Sequence, residues 1–306
     1  MTPLERRGKK NNGVNSRLVP ANGLQREDRM TDIHSEEYFV TLFDHRIFTR
    51  NIYPAETQSK SSLHILFLHE GLGSVAQWKS FPEMLVEKTK LPGILYDRFG
   101  YGRSDGFLRP RDYAYLEYEA QTILPEFIRV LNLDKLILFG HSDGGSISLI
   151  YASLEDNRAE AVITEAAHVF VEDMTVSGIR QAGGLYFGGS GFKHQLEKYH
   201  GEKTDAMFAA WHDVWLAPEF IRDWNITKFL QGVRCPTLVI QGAEDLYGSH
   251  KQVDAILEGV SGEKEELWVE HCAHLPHFQA QQMVLEATAR FIESIKSRIE
   301  QRIESC

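Results

Sequence analysis

Leu138-Phe139-Gly140-His141-Ser142-Asp143-Gly144-Gly145-Ser146 is the stretch on which the reading of this 306-residue chain turns. An apolar run, K-L-I-L-F from Lys135 to Phe139, leads into it. The run S-I-S-L-I-Y-A from Ser146 to Ala152 follows and reads as a helix packed on a sheet. A strand, then G-x-S-x-G, then a helix is the setting that lifts a serine to the apex of a sharp turn. Gly140 and Gly144 bring no Cβ to the crowded flanks of that turn. The Ser142 hydroxyl then stands above the sheet, and the first amides of the helix point at whatever it attacks. A bare G-x-S-x-G is also a small-residue helix start without chemistry, so the flanks and the partners decide.

Outward from this point the chain alternates strand and helix signals. Leu63 to Leu68 is a continuous apolar run, as expected of a strand buried on both faces. Pro92 to Tyr96, Ala161 to Thr164, Pro236 to Gly242 and Glu266 to Val269 read as further strands. Residues 37–54 read as a hairpin turning at Asp44-His45. Residues 76–90, 113–131 and 278–303 carry helical spacing. This alternation predicts a mostly parallel sheet with helices on both faces. Between the strands at Thr164 and Pro236 lie about 65 residues of another character. Residues 174–203 are glycine-rich and predict irregular structure; residues 204–229 set Phe208, Trp211, Trp215, Phe220 and Trp224 at roughly helical spacing.

In an open parallel sheet, ligands bind beyond the carboxyl ends of the strands. The residues just past those ends are His69-Glu70-Gly71, Asp97-Arg98, Ser142, Ala243-Glu244-Asp245 and Glu270-His271-Cys272-Ala273-His274. A nucleophile, a carboxylate and a histidine thus arrive on one edge, in the order Ser142, Asp245, His274. Serine is a poor nucleophile at neutral pH and needs a base beside it. His274 can take the proton, and Asp245 can fix the imidazole tautomer and stabilise its charged form. Glu244 and, more weakly, Glu165 compete with Asp245 for the acid's role. His271, His274 and His277 are spaced by three, but Pro276 breaks a helix there and no carboxylate motif completes a metal set, so no metal is expected.

The chain resembles the α/β-hydrolase fold family from about Glu37 onward. Four segments carry the resemblance: L-H-E-G-L-G-S, D-R-F-G-Y-G-R-S-D, G-H-S-D-G-G, and the pair G-A-E-D with C-A-H-L-P-H. The resemblance implies a mostly parallel eight-stranded sheet, with residues 34–168 and 236–306 forming the core and residues 169–235 a helical cap. It implies oxyanion-hole amides from Asp143 and Gly71, with Leu72 as the alternative because Glu70 departs from the common His-Gly pattern. It makes His274 rather than His277 the base, although Ala273 stands where the family usually has glycine. Leu72, His168 and Trp211 are candidate substrate contacts. His69, Arg98, Arg103 and Asp105 read as loop braces, and Cys272 as a small buried apolar residue. The chemistry implied is hydrolysis of a small ester, lactone or related acyl group through an acyl-enzyme on Ser142, with no cofactor. Carbon–carbon bond hydrolysis of a diketone-type ring-cleavage product uses the same triad. A small-molecule receptor that keeps the triad is the rival from another class. Relatives on this fold with an aspartate nucleophile are set aside by Ser142.

The bulk numbers agree with a small-molecule enzyme. The composition is 42% hydrophobic and 25% charged, ordinary for a globular protein. A net charge of −10 argues against nucleic acid and against anionic membrane surfaces as partners. Three cysteines, Cys235, Cys272 and Cys306, give neither a disulfide framework nor a zinc pattern, and a reducing, cytoplasmic setting is expected. No apolar run approaches a membrane span. Residues 1–33 are polar, lack the apolar stretch of a secretory signal, and read as a disordered tail. Nothing in the sequence bears on oligomeric state.

Overall fold

The computed structural model describes residues 33–55 and 62–304. The expected tail, residues 1–33, lies outside these except for Ile33, which opens the first strand. The strands are β1 (Ile33–Leu42), β2 (His45–Pro54), β3 (Leu63–Leu68), β4 (Gly93–Tyr96), β5 (Lys135–His141), β6 (Ala159–Glu165), β7 (Thr237–Gly242) and β8 (Lys264–Val269). They form one sheet in the order β1-β2-β4-β3-β5-β6-β7-β8. β1 pairs antiparallel with β2, and β2 with β4; the other neighbours are parallel. The helices are α1 (Phe81–Thr89), α2 (Tyr115–Tyr118), α3 (Leu124–Val130), α4 (Asp143–Ala152), α5 (Asp173–Phe187), α6 (Phe192–His200), α7 (Thr204–Trp215), α8 (Pro218–Asp223), α9 (Thr227–Leu230), α10 (His250–Gly259), α11 (Pro276–Gln279) and α12 (Gln281–Glu304).

The two-residue period of a strand explains why both faces are covered. Leu66 and Leu68 on β3, Leu136 and Leu138 on β5, Val162 on β6 and Val239 on β7 enter one core, with α3, α4 and α10. Their neighbours Ile65, Phe67, Ile137, Phe139, Ile163, Leu238 and Ile240 enter the other, with α1 and α12. The middle of each of β3, β5 and β7 lies between two covered faces, which is why residues 65–68, 136–139 and 238–240 are continuous apolar runs. The rim differs. Glu36 and Glu37 on β1, and Lys264 and Glu265 on β8, are exposed at the two sheet edges, where charge discourages pairing with another chain.

Several expected elements are corrected. Residues 174–203 are not irregular: α5 and α6 occupy most of them. Two of their glycines, Gly178 and Gly183, serve packing. A Cβ on Gly178 would come within 2.9 Å of the Tyr247 ring, and one on Gly183 within 2.5 Å of His212 Nε2. The helix expected over 76–90 is a short 3₁₀ turn, Val75–Trp78, followed by α1, because Lys79 turns at φ 55° and Pro82 sits in the first turn of α1. The helix over 113–131 contains a π turn, Glu119–Ile123, between α2 and α3. The last helix is broken at Ala280 into α11 and α12.

Candidate active site

β5 delivers its carboxyl end straight into α4, and Ser142 is the residue between them. Its backbone is held at φ 52°, ψ −115°, a region that strains a side-chain-bearing residue. The neighbours make the strain affordable. The Ser142 N–H donates to Glu165 O at 2.8 Å, and the Ser142 carbonyl receives the Gly145 N–H at 2.8 Å. A Cβ on Gly140 would lie 2.2 Å from Gly144 O, and one on Gly144 would lie 2.0 Å from Leu68 O. Those two glycines are required by close backbone approach.

β7 and the loop after β8 supply the next two residues. His274 Nδ1 lies 2.8 Å from Asp245 Oδ2. Gln241 Nε2 donates to the same oxygen at 2.8 Å, and the Tyr247 N–H donates to Oδ1 at 2.8 Å. Burial alone would raise the Asp245 pKa, but the His274 charge and these hydrogen bonds bring it down to about 2. Burial likewise works against a charged His274, and the Asp245 charge and hydrogen bond outweigh it, so the imidazole is held above its ordinary value. The rival carboxylates are spoken for by the other two histidines of the loop. Glu244 Oε1 lies 3.3 Å from His271 Nδ1 on the surface, and Glu165 Oε1 lies 2.6 Å from buried His277 Nδ1. Three histidines spaced by three thus take three different carboxylates.

The loop after β3 is built around two buried braces. His69 Nε2 accepts the Arg98 N–H at 3.1 Å, so its Nδ1, 2.8 Å from Glu70 O, carries the proton. Arg98 is fully buried; its guanidinium donates to Glu70 O at 2.7 Å, pairs with Asp143 at 3.5 Å and lies over the Tyr101 ring. Tyr115 donates to Asp143 Oδ2 at 2.8 Å, which fixes the residue after the serine from a second side. Arg103 and Asp105 sit on the outside of the next loop, paired with Glu37 and Arg46. Gly71 is wedged under the insertion: a Cβ there would meet Trp211 Nε1 at 2.4 Å. Cys272 is buried among apolar neighbours.

These elements enclose a narrow cavity of about 50 Å³. Ser142 and His274 line it together, as do Gly71, Leu72 and Asp143. Trp211 and Trp215 from α7, Thr175 and Ile179 from α5, and His168 and Tyr247 complete the wall. Of the residues expected to form the triad, the oxyanion hole and the substrate contacts, Asp245 alone does not line the cavity and stands behind His274. A larger cavity of about 240 Å³ adjoins, lined by Trp78, Lys79, His141, Tyr199, His277 and Phe278 among others. Glu70 borders both.

Sequence reasoning missed two features. His141, Glu165 and His277 are fully buried, and each offers an atom within 4.8 Å of the others, a set that could ligate a metal ion. Its atoms are also used in hydrogen bonds: His277 with Glu165, and His141 Nε2 with the His274 carbonyl at 2.7 Å. The three come from the elbow, the end of β6 and α11, so no spacing announces them. Thr175 and Ile179 were missed because the helix that presents them reads as irregular.

Residues 64–186 match the family model described as the alpha/beta hydrolase fold. Over 90 residues the chain is 38% identical to a proline iminopeptidase of Lactobacillus delbrueckii subsp. lactis, an alignment covering 28% of this chain and 30% of that relative's length. It is 23% identical over 309 residues to a proline iminopeptidase of Saccharolobus solfataricus, covering 85% of this chain and 97% of the relative. The crystal structure of a proline iminopeptidase from Mycobacterium smegmatis matches with a TM-score of 0.65 at 16% identity, over 86% of this chain and 100% of that one. No helix among the described residues is long and apolar enough to cross a membrane. With the strand order, the elbow and the family match in agreement, the chain has the α/β-hydrolase fold.

Proposed function

We propose that the protein is a serine hydrolase that cleaves a small ester, lactone or related acyl compound through an acyl-enzyme on Ser142. The observation that carries this reading is the pairing of a strained serine with a buffered base: Ser142 and His274 face one cavity, and Asp245 holds the far nitrogen of His274 at 2.8 Å. With Nδ1 hydrogen-bonded to a carboxylate, the proton sits on Nδ1, and Nε2 is free to accept the Ser142 proton. The Asp245 charge then stabilises the imidazolium formed on attack. The N–H groups of Gly71 and Asp143, on the oxyanion side of the same wall, suit the negative oxygen of the tetrahedral intermediate; one such donor is worth about 3 kcal/mol. His274 returns its proton to the leaving group, and water repeats the sequence to free Ser142.

The relatives named proline iminopeptidase support acyl transfer in which the leaving group is an amine; an alcohol leaving group makes the same demands on Ser142 and His274. The reading places residues 169–235 as a cap over Ser142 and takes a small molecule as partner. It keeps a reducing, cytoplasmic setting, in which Cys235 and Cys272 stay free thiols. A fluorophosphonate probe should label the wild type and leave Ser142→Ala unlabelled. An unlabelled wild-type protein that turns over no aryl ester, lactone or aminoacyl amide sinks the enzyme reading and favours a receptor.

A further inference from the structure

Two carboxylates line this cavity, Asp143 and Glu70, and a third, Asp245, stands behind His274; two of the three are neutralised. Asp245 has His274, Gln241 and the Tyr247 amide. Asp143 has Arg98 and Tyr115. Glu70 differs. Its backbone is locked, the carbonyl accepting from Gly73 N–H and Arg98, but its carboxylate has one hydrogen bond among the described residues, a long one of 3.5 Å from the Leu72 N–H. No lysine or arginine among those residues pairs with it. Lys79, the ammonium of the adjoining cavity, is engaged by the Tyr199 hydroxyl at 2.6 Å. The loop is shaped for this side chain: a Cβ on Gly73 would lie 2.9 Å from Glu70 Cγ, so a glycine there lets the glutamate fold back over its own turn.

Such a carboxylate is out of place beside an oxyanion hole. Gly71, the next residue, offers its amide to a developing negative charge, and an unpaired Glu70 opposes that charge. Burial raises its pKa, with His274 pulling the other way. A cation supplied by the substrate removes the conflict. We propose that Glu70 is a specificity determinant that binds an ammonium group carried by the substrate next to the scissile carbonyl, so that the substrates are amino-acyl compounds rather than neutral esters. Glu70 adjoins Gly71 and borders the same cavity as Ser142, so a substrate ammonium next to the scissile carbonyl enters a site whose one unpaired carboxylate is that of Glu70. The inference rests on the acyl-hydrolase reading above and deepens it.

The test compares two methyl esters of the same shape, alanine methyl ester and methyl isobutyrate, which differ by ammonium against methyl. The wild type should prefer the alanine ester in kcat/KM by at least about tenfold. Glu70→Gln should erase most of that preference, the alanine ester slowing and the isobutyrate ester gaining as the opposing charge is removed. A wild type without the preference, or a Glu70→Gln variant that keeps it, overturns the proposal. A second measurement needs neither turnover nor a variant. Cyclopentylammonium should protect wild-type Ser142 from fluorophosphonate labelling at concentrations where cyclopentanol does not; equal protection by both overturns it. Absence of labelling altogether refutes the hydrolase reading instead, so the two failures are distinguishable.

Discussion

Two histidine–carboxylate pairs lie side by side at the carboxyl edge of the sheet, and only one of them faces the serine. In the first, His274 meets Asp245 at 2.8 Å; in the second, His277 meets Glu165 at 2.6 Å. Both histidines come from the same short stretch, and the His141 ring stands between them, 5.1 Å from one ring and 5.2 Å from the other. Distance does not tell them apart. Their surroundings do. His274 borders the Ser142 cavity, whereas His277 is packed under the rings of Trp78 and Phe81. Asp245 has donors on both oxygens, whereas Glu165 Oε2 is buried with no partner among the described residues. A histidine–carboxylate pair is thus a common way to satisfy two buried polar groups. What makes one a candidate base is a free nitrogen turned toward a nucleophile.

The sharpest way to break this comparison is to remove each histidine in turn. In the proposed mechanism His274→Ala should lower kcat by about 10⁵ or more. His277→Ala should leave kcat within about tenfold and instead lower stability by about 2–4 kcal/mol, because it strands a fully buried carboxylate. Steady-state kinetics and urea denaturation of the two variants read this out. Equal rate losses would merge the pairs into one machine.

The carboxylates come next. Asp245→Asn should lower kcat by about 10⁴, through the wrong imidazole tautomer and the lost imidazolium partner. Glu165→Gln, judged by the same assay, should cost less than about tenfold. Glu165 makes no hydrogen bond to His274 and acts on it through its charge, which raises the imidazole pKa less than those of Asp245 and Glu70, and through the loop that His141 anchors. A near-wild-type rate in Asp245→Asn, with a collapse in Glu165→Gln, would reverse the assignment.

Much of this was legible in the sequence, for reasons that are themselves structural. Runs such as residues 65–68 are apolar throughout because cores press on both faces of the strand, and that pattern survives in one dimension. The elbow is legible because Gly140 and Gly144 have backbone neighbours nearer than any Cβ allows. Asp245 and His274 are legible because each lies a few residues past the carboxyl end of a strand, β7 and β8. The rest depends on contacts between distant segments. Gly178 and Gly183 read as breakers, yet they sit inside α5 because Tyr247 and His212 come close to it. The Glu165–His277 pair joins residues 112 positions apart, and the isolation of the Glu70 carboxylate is a property of what fails to surround it.

A smaller effect separates the pairs by pH. His274 must be neutral to accept the serine proton, and its pKa is held above 6.5, so kcat/KM should rise with pH to a midpoint above that value. In Asp245→Asn the midpoint of the residual activity should move down, because the charge that favours imidazolium is gone. The same pair sets an acid limb of stability. The Asp245 pKa falls from 3.8 to about 2 on folding, so its stabilisation is complete above the unfolded value and drains away as pH drops from about 4 toward 2. His274 contributes in the opposite sense: its share is present below 6.5 and is lost as pH rises through the folded pKa. Chemical denaturation at stepped pH should therefore show a steeper acid loss in the wild type than in Asp245→Asn. Parallel curves would mean that the carboxylate is not held as an anion by the fold.

The third pair supplies the control with the smallest effect. His271 and Glu244 flank the same loop at 3.3 Å, but their side chains are 92% and 64% exposed. Water screens such a pair, and holding two mobile side chains together costs entropy that cancels most of the attraction. Glu244→Gln should therefore change kcat/KM by less than about twofold and stability by less than about 0.5 kcal/mol. Glu244 is one residue from Asp245 and shares its strand end, so the substitution tests position against connection. If proximity in sequence to the strand end were enough to make a catalytic acid, Glu244→Gln would approach the loss seen in Asp245→Asn. A gap of several powers of ten between the two neighbours would show that the acid's role belongs to the carboxylate joined to His274, and that the loop's other charges are carried on its surface without a part in the chemistry.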